Sequence, residues 1–145
     1  MKDTLYKEII ALVFGGILGA LLKYWWDYRG MVHRELWTKR YEEYKKMFVL
    51  AGNFPLYPRK ASITYQQLLK ISEGMRDWFF EEGGLLLSAK TRNKYFKVQK
   101  KIKDLLEVRK APDQTIENIE YDDVRDLFSQ FRRAMTDDLM SRSRA

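Results

Sequence analysis

The side chains able to do chemistry are few, and their spacing limits what they could do. The chain of 145 residues has no cysteine and one histidine, His33. That excludes a disulfide framework, a thiolate zinc site, a cysteine nucleophile and any site needing two imidazoles. Carboxylates remain. Asp122 and Asp126 share a helix face, Asp123 is adjacent, and Asp137-Asp138 form a second acidic pair. Converging carboxylates hold hard cations, but acidic residues at a helix start also answer the macrodipole. The pairs Gly15-Gly16 and Gly83-Gly84 do not make a phosphate loop. The expectation is no catalytic residue, no metal, no cofactor and no evident small-molecule substrate. A metal-dependent nuclease built on Asp122 and Asp126 is the outside alternative.

Basic residues are the second chemical resource. Residues 88–110 hold nine basic and two acidic side chains, which accounts for the whole formal net charge of +7. The basic surface is expected from Lys90, Arg92, Lys94, Lys97, Lys100, Lys101 and Lys103. It could bind nucleic-acid phosphates or face anionic lipid headgroups. It could also meet the acidic start of the last helix, on its own or a neighbouring subunit, or simply be solvated.

The element that would position everything else is an apolar block. Residues 9–22 contain no polar side chain, and the flanks extend the block to 5–26. Twenty-two residues make about 33 Å of helix, matching a hydrocarbon core of ~30 Å. Tyr24, Trp25 and Trp26 resemble an interfacial anchor. Ala11, Gly15 and Gly19 recur every four residues, with Gly16 and Ala20 beside them, a pattern that lets helices approach closely. More basic residues follow the block than precede it. The expectation is therefore a span of the inner (plasma) membrane, with a short N-terminus outside and the C-terminal part cytoplasmic. A signal peptide and a buried core helix are the competing readings.

The rest reads as amphipathic helices. Trp37, Tyr41, Tyr44 and Phe48 form a first stripe, ended by Gly52-Asn53-Phe54-Pro55. Thr64 and Gln67 make a capping box, followed by Leu68, Ile71, Met75, Trp78 and Phe79, with Gly83-Gly84 as the stop. Ser88 caps a helix with the stripe Tyr95, Val98, Ile102 and Leu105. The last helix starts near Glu120 or Asp122 and carries Val124, Phe128, Phe131 and Met135. The predicted fold is all-α: an N-terminal transmembrane helix continuing into a cytoplasmic antiparallel bundle of about four helices. Expected boundaries are 1–28 for tail and span, 29–141 for the bundle and 142–145 for a disordered tail.

The run Trp78-Phe79-Phe80-Glu81-Glu82-Gly83-Gly84-Leu85-Leu86-Leu87-Ser88 is distinctive. With the apolar block and Trp37-Thr38-Lys39-Arg40-Tyr41-Glu42, it resembles small uncharacterised bacterial proteins with one membrane helix, a family with no assigned activity. In architecture alone, the chain is similar to the membrane accessory protein of type VI-B CRISPR systems. That resemblance implies a ring-shaped oligomer that permeabilises the inner membrane in antiviral defence. The family's helical domain is HEPN-like, and HEPN ribonucleases place more residues between arginine and histidine than the three separating Arg29 from His33. No catalytic role carries over.

Two functions are expected from these readings. The first is a single-pass membrane protein, a homo-oligomer and pore-forming defence effector or accessory. The second is a membrane-tethered adaptor that binds nucleic acid or an acidic protein through residues 90–110.

Overall fold

Capping chemistry sets the helix limits. The computed structural model describes residues 2–55, 57, 63–108 and 111–141, with side chains over 15–55, 57, 63–108 and 111–140. Among these every named element is helical: α1 (Lys2–Ala51), α2 (Tyr65–Trp78), a π-helical turn (Phe79–Gly83), the single turn α3 (Gly84–Leu86), α4 (Ala89–Leu106) and α5 (Asn118–Ser141). One isolated antiparallel bridge joins Thr64 to Thr115. The chain divides into two compact units, Met1–Thr38 and Lys39–Ala145.

Thr64 begins α2 as predicted: its hydroxyl accepts from the Gln67 amide, and the Gln67 side chain accepts from the Thr64 amide, both at 3.2 Å. Ser88 begins α4 by accepting from the Thr91 amide at 3.2 Å. Each of these caps satisfies amides that the helix leaves unpaired. The start of α5 falls at Asn118, earlier than expected, because Glu120 reaches back to accept from the Glu117 amide at 2.8 Å. At the end of α1, Arg132 Nη1 donates to the Ala51 carbonyl at 2.7 Å, so a side chain from α5 caps α1.

The 39–145 unit encloses an aromatic and aliphatic core. Val98, Ile102, Val124, Phe128, Phe131 and Met135 are fully buried, and Tyr95 and Leu105 nearly so, as their helical spacing predicts. Phe54 fills the centre, stacked on Phe128 at 5.0 Å and tilted against Tyr121 at 5.3 Å. Each such ring contributes about 1.5–3 kcal/mol by leaving water.

The predicted α1 stripe is corrected. Only Tyr44 of the four is buried; Trp37, Tyr41 and Phe48 are exposed, and Met47 and Ala51 take the inward positions. Tyr44, Met47 and Ala51 keep the three-and-four spacing, but the inward face is turned from the aromatic row toward smaller side chains. The predicted stop at Gly83-Gly84 is corrected too. The chain passes through the π turn into α3 because the two glycines permit close backbone approach. A Cβ on Gly83 would enter the Trp78 indole, and one on Gly84 would sit 2.5 Å from the Phe79 carbonyl oxygen.

The expected membrane location does not stand. Among the described residues, no helix is long and apolar enough to cross a membrane. The uninterrupted apolar run with described side chains is 15–22, about 12 Å of helix, whereas a bilayer core needs ~20 residues. Lys23, Asp27 and Arg29 follow it. The inner-membrane location, the outward N-terminus and the cytoplasmic placement of the bundle fall with the span. The side chains of 5–14 that lengthened the expected span, Ala11 among them, lie outside the described residues. So do Arg109, Lys110 and the expected tail at 142–145.

Candidate functional site

Gly15, Gly16, Gly19 and Ala20 are all exposed on α1. A Cβ placed on any of the three glycines would meet nothing within 4 Å. Tyr24, Trp25 and Trp26 follow, also exposed. Tyr24 stacks on Tyr28 one turn on at 6.5 Å, and the Arg29 guanidinium lies 4.4 Å from the centroid of Trp25. These contacts are local to one helix surface. His33 is exposed on the same helix.

The basic residues of α4 are divided by their partners. Lys90 pairs with Asp137 at 2.9 Å, Lys94 donates to Gln130 at 2.8 Å, and Lys101 pairs with Asp123 at 2.7 Å. The acceptors stand seven residues apart along α5 and are met in reverse order, which fixes the two helices as antiparallel. Lys103 pairs with Glu107 at 3.4 Å, and Arg92 reaches the Gly84 carbonyl at 3.4 Å. Lys97 and Lys100 are exposed and have no partner among the described residues. Arg92 and Lys94 meet only neutral acceptors, so the α4 cations without a carboxylate partner are Arg92, Lys94, Lys97 and Lys100.

The carboxylates are engaged as well. Asp122 and Asp126 both accept from Arg125, at 2.9 and 2.8 Å. Hydrogen bonding to Asp126 raises the Arg125 guanidinium above its ordinary value. No group of three or more acidic, histidine or cysteine side chains that could hold a metal occurs among the described residues. Asp138 is a structural junction. Its Oδ2 accepts from the Tyr44 hydroxyl at 2.9 Å and from the Ser88 amide at 3.2 Å, joining α1, the α3–α4 connector and α5. Burial pushes this carboxyl up, but hydrogen bonds from Ser88, Thr91 and Tyr44 outweigh it and hold the group below its ordinary value.

One surface escaped the residue-by-residue reading. A chain of rings runs from core to solvent at the π turn. Tyr95 meets Phe131 at 6.0 Å and stacks on Phe79 at 4.7 Å, and Phe79 meets Phe80 and Phe96 at 5.4 Å each. Phe80 is 79% exposed, Phe96 52%, Leu85 87% and Leu69 44%. Burial raises the Tyr95 phenol above its ordinary value, against an opposing hydrogen bond from Gln99. The Tyr95 hydroxyl also donates to the Met75 carbonyl at 3.2 Å. The signal was present in the Trp78–Ser88 run, where three consecutive aromatics cannot all face inward on one helix.

The chain matches no protein-family model, no curated protein and no solved structure.

Proposed function

We propose that the protein is a self-assembling helical module whose association element is the 15–37 stretch of α1. The observation that carries this reading is exposure: Ile17, Leu18, Leu21, Leu22, Trp25 and Trp26 stand 50–76% exposed. Tyr24, Tyr28, Met31, Leu36 and Trp37 extend the surface. At ~150–250 Å² for a large aromatic ring, the exposed apolar area is about 1,000 Å². A typical monomer shows a largest patch of only ~300–600 Å².

The geometry favours a second copy as the occupant. Leu18, Leu21, Trp25, Tyr28 and Val32 recur at three and four, the spacing with which one helix meets another. The open faces of Gly15 and Gly19 allow a close backbone approach beside that stripe. The metal-nuclease alternative is not favoured, because its carboxylates are already held in ion pairs by Arg125 and Lys101. The adaptor reading for nucleic acid or an acidic partner is weakened, because Lys90, Lys101 and Lys103 are already held in ion pairs. The four that remain, Arg92, Lys94, Lys97 and Lys100, would give a log-affinity slope against log salt of at most about −4.

Light scattering of the full chain in mild detergent tests the proposal. A defined oligomer is expected, and Leu18→Glu with Leu22→Glu should lower its mass. A single-chain mass at every concentration, or an oligomer that these changes leave untouched, overturns the reading.

A further inference from the structure

The outward face of α2 and of the π turn that continues it has a mirror order of chemical types. Leu69, Glu73, Arg76 and Phe80 are all exposed and follow one another at four, three and four residues, so they share one face. The order is apolar, acid, base, apolar. Glu73 has no salt-bridge partner among the described residues. Arg76 spends two of its five donors on a single oxygen of Asp77, at 3.0 and 2.9 Å. This row forms one wall of an open groove of about 370 Å³ toward α4, whose floor and far side include Phe79, Tyr95 and Phe96.

We infer that this face is a two-fold self-association surface on which a second copy of the chain packs α2 antiparallel to α2. With the axis midway between Glu73 and Arg76, each residue lies opposite its mirror about that point. Glu73 faces Arg76 of the second copy and Arg76 faces its Glu73. Leu69 and Phe80 face each other at both ends, and each Phe80 enters the other copy's groove. A two-fold interface requires one patch to be complementary to itself, and this order of side chains meets that requirement.

The area fits. Phe80, Phe96, Leu69 and Leu85 together expose about 400–500 Å² of apolar surface, taking ~200 Å² for a whole phenylalanine. A stable interface covers ~800 Å² per partner, of which ~57% is apolar. The face lies wholly within the 39–145 unit, so the inference does not rest on association through α1. If both surfaces operate, two different interfaces on one chain build assemblies larger than a dimer.

Charge exchange in the full chain tests the inference. Glu73→Arg alone and Arg76→Glu alone place like charges opposite each other and should weaken association at this face about tenfold or more. An equimolar mixture of the two variants restores both opposite-charge pairs, as does the double variant, so both should recover association. All of these positions are exposed, and an unchanged melting temperature confirms that folding is not the cause. Because the chain has no cysteine, disulfide trapping reads this face separately from α1. Leu69→Cys mixed with Phe80→Cys should cross-link far more than either variant alone. A mixture of the charge variants that associates no better than its components, or cross-linking that is equal with and without mixing, overturns the inference.

Discussion

Phe128 and Trp25 are both large aromatic residues on helices, and they end in opposite circumstances. Phe128 is fully buried and stacked on Phe54 at 5.0 Å. Trp25 is half exposed, with the Arg29 guanidinium one turn away at 4.4 Å. The difference extends to their units. In 39–145, apolar residues at three and four spacing alternate with charged ones, so each helix has one face to bury and others to give to water. From 15 to 26 only Lys23 interrupts the apolar surface. A helix that is apolar on nearly every side cannot be completed by one neighbouring face. Amphipathic spacing lets a chain enclose its own rings, whereas all-round apolarity leaves that task to something else.

The largest effect should come from emptying the enclosed side. Phe128→Ala should cost about 3–5 kcal/mol in denaturant unfolding, through lost burial and the cavity left against Phe54. Trp25→Ala should change the same unfolding by less than ~0.5 kcal/mol while weakening association. Similar stability losses from both would break the comparison.

Glycine sharpens it. Gly83→Ala should destabilise by about 2–3 kcal/mol, because the added methyl collides with the Trp78 ring. Gly30→Ala meets open space and should stabilise the helix by up to ~1 kcal/mol. Thermal melts of the two variants should therefore shift in opposite directions.

Acid provides the next contrast. The Asp138 carboxyl is held below its ordinary value of 3.8, so the unfolded chain binds its proton more readily than the folded one. Its stabilisation is complete above that ordinary value and is lost as pH falls through the lower folded value. The group remains partly open to solvent, which limits the effect to about 1–2 kcal/mol. Stability of the wild-type chain followed by urea unfolding should drop between about pH 5 and pH 2, and Asp138→Ala should flatten that drop. No exposed group of the 15–38 stretch offers such a junction, so the helicity of that stretch should not follow the same curve. An unaltered acid profile in Asp138→Ala would remove the junction's role.

What the sequence made legible was local or periodic. The Thr64–Gln67 capping box and the Ser88 cap depend on residues three apart, and the stripes of α4 and α5 have charged residues on the opposite faces to mark which side is inward. The inward face of α1 is not legible from spacing alone because Trp37, Tyr41, Tyr44 and Phe48 compete with Met47 and Ala51, and the room the bundle leaves decides between them. The π turn depends on how Gly83 meets Trp78, a contact that composition does not encode. The α4 lysines looked like one surface because pairing with Asp123, Gln130 and Asp137 appears only when α4 and α5 are laid antiparallel. The mirror order on α2 was in plain view, but it acquires meaning only once Leu69, Glu73, Arg76 and Phe80 are known to face outward.

The smallest effects distinguish charges used inside the bundle from those left outside. Lys101→Glu sets a carboxylate against Asp123, whose partner it removes at 2.7 Å. Because both groups are partly exposed, the cost should be about 1 kcal/mol, shrinking in high salt. Lys97→Glu and Lys100→Glu remove no pair and should stay within ~0.5 kcal/mol. Arg29→Ala in α1 should likewise leave the bundle's unfolding unchanged, since its contact with Trp25 is worth only ~0.5–1 kcal/mol at an exposed site and lies in the other unit. Urea unfolding at low and high salt orders the four variants. A Lys97 or Lys100 reversal as costly as that of Lys101 would show that these lysines serve the fold rather than standing free for a partner.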